Sequence, residues 1–141
     1  MNVETNKSAV REFFAAIDKA QNMLPLDQFA APSYQSHFPG APPLDQQGTQ
    51  AYANAFFAAC PGLRHTVHDI VGEGDHVAAR ITIRGTHTEP FQTPNGAIPP
   101  QNRGFEIAAV NWYRFEHGKV VDQHVAFDML GFLQQIGATP S

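Results

Sequence analysis

Residues 105–127 read FEIAAVNWYRFEHGKVVDQHVAF, and their hydrophobic pattern indicates the class of fold. Apolar and polar residues alternate on both sides of Glu116-His117-Gly118, with the period of two that is typical of half-buried strands. The pattern predicts strands over residues 105–115 and 120–127. A tight turn between them makes the pair an antiparallel β-hairpin.

The register of this hairpin decides which side chains share a face. A two-residue turn pairs position 111 with 124, and a three-residue turn with glycine in the left-handed conformation pairs position 110 with 124. We favour three residues, because His117 is a poor first residue of a two-residue turn and the apolar side chains then match. One face then carries Val121, Val125, Phe127, Tyr113, Ala109 and Ile107, and the other carries Arg114, Trp112, Val110, Glu106, His124, Ala126 and Asp128.

The second of these faces mixes polar groups with Trp112 and Val110. Such a face either meets water, the commoner case for antiparallel sheets, or lines a pocket roofed by helices. If it lines a pocket, the apolar face also needs cover, and a second subunit is the usual source.

The rest of the chain supplies two more strands and a set of helices. Strands are predicted over residues 67–73 and 77–86, and residues 88–102, with four prolines, predict a long loop that acts as a lid or rim. Helices followed by strands predict an α+β fold, with a curved antiparallel sheet backed by helices. The remaining predicted elements are a helix around the stripe Val10, Phe13, Phe14 and Ile17, a short helix over 26–31, a loop over 34–47, a helix from about 49 to 59, and a final helix over 128–136 that Gly137 ends.

Length and composition limit the class of protein. The 141 residues suit a single domain, residues 1–141, and 43% hydrophobic content argues against disorder. The net charge of -4, without a run of Lys or Arg, argues against nucleic acid as a partner. No apolar run approaches the ~20 residues of a membrane helix, and the N-terminus shows no secretory signal. The single cysteine, Cys60, predicts a reducing, cytoplasmic location.

Several kinds of chemistry lack their motifs. His65 and His68 are three apart on a predicted strand and point to opposite faces, so we predict no metal site. Cys60 lies on the apolar stripe of a helix, where a thiol acts as a small hydrophobe. No Gly-x-Ser-x-Gly elbow and no glycine-rich phosphate loop occurs. Acid–base chemistry in a mostly apolar cavity, with no cofactor, remains.

Asp128 is the candidate acid–base residue. It stands where the last strand meets the last helix, among Phe127, Met129 and Leu130, where an apolar site would raise the pKa of its carboxyl. From the pattern alone, a helix N-cap is the preferred interpretation of this aspartate. His124, four residues earlier on the same face, either binds a substrate oxygen or is a solvated strand histidine.

Tyr34 and His37, in Tyr34-Gln35-Ser36-His37-Phe38-Pro39-Gly40, are candidates for the mouth of the pocket. The alternative for both is the ordinary polarity of a loop.

The chain resembles the SnoaL-like polyketide cyclase family over nearly its whole length. The pieces that carry the resemblance are Tyr34-x-x-His37-x-Pro39-Gly40, Gly48 opening a helix, Cys60-Pro61-Gly62-Leu63, Val77-Ala78-Ala79-Arg80, Gly85-Thr86-His87-Thr88, Arg114-Phe115-x-x-Gly118-Lys119-Val120 and the run from Asp128-Met129-Leu130-Gly131 to Ile136-Gly137.

The resemblance implies a nuclear-transport-factor-2-like fold, a cone with one pocket, and a homodimer or higher homo-oligomer. It also implies that Asp128 is the acid–base residue, a role compatible with capping, which reverses the preference for the cap alone. The chain departs from the family where His124 replaces a frequent Trp and where Gly62 replaces a frequent Asp.

The function expected from the resemblance is cofactor-free intramolecular aldol cyclisation of a hydrophobic, polyketide-like carbonyl compound. Asp128 is then the base, His124 a donor to a substrate oxygen, and Trp112 a flat wall, with Arg114, His37 and Tyr34 binding substrate at the rim. Asp128→Asn is expected to abolish turnover. The alternatives are an isomerase, dehydratase or epoxide hydrolase of the same superfamily, and a non-catalytic small-molecule-binding protein.

Overall fold

The computed structural model describes residues 2–93 and 95–138. Its elements, in chain order, are α1 (Val3–Ala20), α2 (Leu26–Phe29), β1 (Ala30–His37), α3 (Gln46–Ala59), β2 (Arg64–Glu73), β3 (His76–Thr86), β4 (Phe91–Thr93), β5 (Gly96–Ile98), β6 (Gly104–Glu116), β7 (Lys119–Phe127) and α4 (Met129–Ile136). None of the described helices is both long and apolar enough to cross a membrane.

The predicted α+β class is confirmed, with one difference in the sheet. Five strands lie in the order β1-β7-β6-β3-β2, and the four predicted strands pair antiparallel. β1 joins as a fifth strand, parallel to β7, so the sheet is mixed.

β1 occupies residues that the sequence analysis divided between a short helix and a loop. The helix ends at Phe29, and the extended backbone runs on from Ala30 through Tyr34 to His37. Pro32 is tolerated because β1 is an edge strand, with a neighbouring strand on one side only. The missing backbone N–H of a proline therefore disrupts little of the hydrogen bonding in the sheet. The register shifts between Ala30 and Gln35, around this proline.

The predicted long loop contains a small hairpin of its own. β4 and β5 pair antiparallel within it and form a separate two-stranded sheet. The loop is tied to the sheet at its ends, where His87 and Arg103 share a backbone hydrogen bond of 3.0 Å.

The register predicted for the last hairpin is wrong by two residues. His124 lies opposite Trp112, not opposite position 110. The turn has two residues, His117 at φ 50° and Gly118 at φ 78°, so a histidine does take the left-handed position. The register then shifts between Arg114 and Phe115, where the Phe115 N–H donates to the Asp75 carbonyl at 2.8 Å.

A two-residue error keeps every side chain on its predicted face, because strands have a period of two. In β6 the odd positions from Phe105 to Phe115 are buried and the even positions are mostly exposed. The apolar face is therefore the inner one, and α1, α3 and α4 pack on this side of the sheet. The mixed face lies outside, with Val110 46% and Trp112 47% exposed.

This arrangement corrects the expectation that the mixed face lines a pocket. Helices of the same chain cover the apolar face, so it needs no second subunit for cover. The cavity described below opens between the helices and the apolar face of the sheet.

Candidate functional site

An internal cavity lies between the sheet and helices α1 and α3. Nine of its lining side chains are phenylalanine or tyrosine, and leucine, isoleucine, valine, alanine and methionine supply most of the others. Its volume is about 100 Å³. That is comparable to an engineered cavity of about 150 Å³ that binds benzene, so the space accommodates about one ring of a substrate.

The polar groups of the cavity are few and placed by different elements. Asn111, Tyr113 and Gln123 come from the hairpin, His65 from β2, and Thr49 from α3. A largely apolar pocket with a small number of oriented polar groups is the usual form of a small-molecule site.

His65 forms a pair with Asp18 at the cavity wall. Asp18 Oδ1 lies 2.7 Å from His65 Nδ1, and its Oδ2 accepts the His65 backbone N–H at 2.8 Å. Both side chains are largely buried, 11% exposed for His65 and 15% for Asp18. The imidazole ring lies 5.4 Å from the Phe14 ring and 6.1 Å from the Phe57 ring.

The sequence places this pair through two elements. Asp18 stands in the last turn of α1, and His65 stands at the start of β2 opposite Ile83, which also lines the cavity. Gln21 links the end of α1 to the start of β2, because its side-chain amide donates to the carbonyls of Asp18 and Leu63.

The His65–Asp18 pair has the arrangement of a general base. A carboxylate that accepts the Nδ1–H fixes the tautomer with a lone pair on Nε2, and it stabilises the imidazolium that forms when Nε2 takes a proton. Among the described residues that line the cavity, His65 is the one histidine, and none is an aspartate or a glutamate.

Two buried tyrosines lie close to the same space. The Tyr34 hydroxyl donates to Gln123 Oε1 at 2.5 Å, and burial raises the pKa of Tyr34 to about 12. Burial also raises the pKa of Tyr113, and the nearby Tyr34 adds to the effect. Both phenols therefore stay protonated at neutral pH and act as hydrogen-bond donors, not as bases.

Tyr113 and Asn111 retain unused hydrogen-bonding capacity. Within the described residues, neither the Tyr113 hydroxyl nor Asn111 Oδ1 has a partner, although both are buried. Buried polar atoms are usually paired, and an unpaired one in a cavity is a place for a ligand or a water molecule. A carbonyl oxygen is one ligand group that the Tyr113 hydroxyl would bind.

Asp128 does not lie in the apolar surroundings that the sequence analysis expected. Its side chain is exposed, and Oδ1 accepts the Gly131 N–H at 2.8 Å as the N-cap of α4. The strand ends at Phe127, which does line the cavity, and the next residue turns away from it. The capping interpretation of Asp128 is confirmed, and its catalytic role stays a prediction.

The other predicted site residues divide between the two faces of the sheet. His124, Trp112 and Arg114 lie on the outer face with the rest of the mixed set, away from the cavity. His37 lies beside His124 at the end of β1. Tyr34 is the member of the predicted set that is buried next to the cavity, through its bond to Gln123.

Cys60 behaves as the sequence analysis predicts for a structural thiol. It is fully buried in the core at the end of α3. Burial raises the pKa of the thiol to about 11, which leaves it protonated and unreactive at neutral pH.

The His65–Asp18 pair is the feature that sequence reasoning missed. The two residues are 47 positions apart, and His65 was considered only as a metal ligand. One signal was available, since the alternation of β2 places His65 on the same face as Val67 and opposite to His68.

Comparison with known proteins agrees with the fold. The family model of SnoaL-like polyketide cyclases matches residues 8–136. No curated protein matches the sequence.

Solved structures resemble the chain over almost its whole length. IdmH of Streptomyces antibioticus, a candidate polyketide cyclase, is 28% identical, with a TM-score of 0.78 over 94% of this chain and 98% of that one. AclR of Streptomyces galilaeus, a candidate hydroxylase, is 23% identical, with a TM-score of 0.85 over 99% and 100%. TsrD of Streptomyces laurentii is 24% identical, with a TM-score of 0.81 over 99% of both chains.

Proposed function

This chain belongs to the SnoaL-like polyketide cyclase family, and we propose that it is an acid–base enzyme that cyclises a hydrophobic carbonyl compound in its internal cavity. The reaction is an intramolecular aldol addition of a polyketide-like substrate. The base is His65, and Asp18 positions it.

The observation that carries this proposal is the His65–Asp18 pair in the wall of an apolar cavity. An imidazole held at Nδ1 by a carboxylate presents Nε2 as a base. The buried surroundings keep water away from the enolate that proton abstraction generates. The Tyr113 hydroxyl and the Asn111 amide then supply polar contacts for the substrate oxygen.

The proposed reaction needs one proton to leave and one to return. Nε2 of His65 removes a proton from a carbon flanked by carbonyl groups, and the negative charge spreads onto their oxygens. The enolate carbon attacks a second carbonyl carbon of the same molecule, forming a carbon–carbon bond and an alkoxide. The imidazolium returns its proton to the alkoxide, so the product has the mass of the substrate.

The cavity limits the part of the substrate that enters. About 100 Å³ suits the reacting end of a molecule, about one ring, and the rest extends toward the opening. The aromatic lining favours a flat, conjugated substrate. Conjugation in the substrate also stabilises the enolate.

The proposed reaction also indicates the kind of partner and the need for a cofactor. A hydrophobic small molecule is the partner, and the steps above need no cofactor. A homodimer or larger assembly and a cytoplasmic location remain predictions from the sequence.

Asp128 is the rival base, since the family resemblance implies it. Its carboxylate is exposed and already binds the Gly131 N–H, so we place the chemistry at His65 and keep Asp128 as the alternative under test.

The experiment compares matched variants on a panel of linear aryl tetraketide and pentaketide esters, in which C2 and the C7 ketone can close a six-membered ring, with product detected as an isomer of unchanged mass. His65→Gln is expected to lower kcat by about 10²- to 10⁴-fold, the usual contribution of a general base. His68→Gln, the same change on the outer side of the same strand, is the control and leaves kcat unchanged. Asp18→Asn is expected to lower kcat with little change in KM, and Asp18→Glu to recover part of the loss.

The same panel separates the alternatives. Loss of turnover in Asp128→Asn with full activity in His65→Gln would transfer the base to Asp128. A product that loses water or shifts a double bond would indicate a dehydratase or an isomerase. Binding without turnover of any compound in the panel would indicate a binding protein.

A further inference from the structure

A second group of titratable side chains lies on the outer face of the sheet, where β1 and β7 run parallel. The parallel register places His37 beside His124 and Gln35 beside Asp122. His37 Nε2 lies 2.8 Å from Asp122 Oδ1, and His124 Nε2 lies 3.1 Å from Asp122 Oδ2. Both imidazoles therefore converge on one carboxylate.

The spacing of these three groups is close to that of metal ligands. Their nearest ligand atoms all lie within 4.8 Å of one another. A tetrahedral ion with bonds of about 2.1 Å needs ligand atoms about 3.4 Å apart, so rotations of the side chains bring the three groups to that spacing. The two rings are stacked, with centroids 4.2 Å apart and planes 10° apart, so both rings turn out of this stack when their Nε2 atoms bind one ion.

We propose that His37, Asp122 and His124 form a binding site for a divalent transition-metal ion of the Zn²⁺ or Co²⁺ class. Two imidazole nitrogens and one carboxylate oxygen suit these ions better than Mg²⁺ or Ca²⁺, which prefer oxygen ligands alone. The ion replaces the direct contacts between the two Nε2 atoms and the Asp122 carboxylate.

The site is open to solvent. The side chains of His37 and Asp122 are each 31% exposed, and that of His124 is 54% exposed. Three protein ligands leave a fourth position for water or for a ligand from solution, which is the pattern of an open zinc site.

Neighbouring groups set the limits of its affinity. Arg114 on β6 lies opposite Asp122, and its positive charge repels a metal ion. The guanidinium also lies 3.6 Å from Glu116 Oε2, which offsets part of that charge. Trp112 lies opposite His124 in the register of the two strands.

This inference is independent of the proposed function. The cluster lies on the outer face of the sheet and the cavity on the inner face, so no step of the cyclisation passes through the ion. We predicted no metal from the opposite faces of His65 and His68. His37 and Asp122, which are 85 positions apart, were not considered together.

The test is a titration of the full chain with Zn²⁺ followed by calorimetry, and with Co²⁺ followed by visible absorption. We expect one ion per chain. The affinity should be at least about tenfold lower in each of His37→Ala, Asp122→Asn and His124→Ala, because loss of a residue that only supports a metal ligand already lowers metal affinity by that factor. His68→Ala, an exposed strand histidine bonded to Thr82, is the control and keeps wild-type affinity. Mg²⁺ does not compete.

Circular dichroism and thermal unfolding without metal confirm that each variant folds. The Co²⁺ spectrum excludes binding through the Cys60 thiol, since a nitrogen and oxygen site shows no thiolate charge-transfer band. The proposal fails if the chain binds no ion, if the three variants bind as well as wild type, or if His68→Ala loses affinity equally.

Discussion

Asp128 holds the first turn of α4 in place. Its carboxylate accepts the Gly131 N–H, and a Cβ on residue 131 would collide with that carboxylate, so the aspartate and the glycine act as a unit. α4 in turn buries Phe132 and Ile136, both fully shielded from solvent.

The cap gives a prediction that separates stability from catalysis. Asp128→Ala is expected to lower the free energy of unfolding by about 1 kcal/mol, because the orphan N–H of Gly131 loses its acceptor. Asp128→Asn keeps an equally good capping group and leaves stability unchanged. Chemical denaturation of the three proteins measures both effects, and equal stability of Asp128→Ala and wild type would remove the structural role of this carboxylate.

Single residues also show where sequence reasoning reaches its limit. A cap is a local feature, and the pattern around Asp128 predicted it correctly. The pair of Asp18 and His65 joins the end of a helix to a strand 47 positions away, and no spacing rule connects them. The cluster of His37 with Asp122 likewise exists only because β1 adds to the edge of the sheet.

At the scale of elements, alternation predicts strands well and register poorly. All four strands with a period of two are present within a few residues of their predicted ends. The hairpin register depended on the turn, where His117 adopts a left-handed conformation against its preference, and on a shift at Arg114 that no pattern marks. β1 was missed because proline and glycine around it indicate a loop, although an edge strand tolerates proline.

The segment between β3 and β6 depends on one buried histidine. His87 is fully buried, and its Nδ1 accepts the Gln101 N–H at 3.3 Å. Burial lowers the pKa of His87, and a backbone contact with Glu89 offsets only part of this effect. The neutral ring is therefore the form that the fold requires.

This histidine predicts an acid-sensitive stability. Because the pKa in the folded chain is below the unfolded value of about 6.5, the unfolded chain binds more protons in acid. Stability is full above about pH 6.5 and falls as the pH drops toward the folded pKa. Urea unfolding at a series of pH values checks the prediction by comparing wild type with His87→Gln, which is expected to show a smaller fall. An equal fall in both proteins would show that His87 does not cause it, and His68→Gln serves as the control.

At the scale of the whole molecule, the question that the sequence left open was which face of the sheet turns inward. Alternation separated the two faces correctly, but both interpretations of the mixed face remained possible. The structure places the apolar face under α1, α3 and α4, as burial of apolar area favours. The expectation of a pocket around His124 and Trp112 was therefore wrong, because it placed the pocket on the face with the polar residues and not on the apolar face.

We place the acid–base chemistry of this protein at His65 in the inner cavity. Alkylation by 2-bromoacetophenone tests it directly, since this reagent joins one aromatic ring, a carbonyl group and a reactive carbon. Displacement of bromide by Nε2 leaves an adduct that peptide mass spectrometry locates. We predict an adduct on His65 that forms faster than any on exposed His68, is slowed by unreactive acetophenone, and is absent from His65→Gln. Adducts confined to Asp128 or to the exposed histidines, at rates that acetophenone does not change, would show that His65 is not the reactive base.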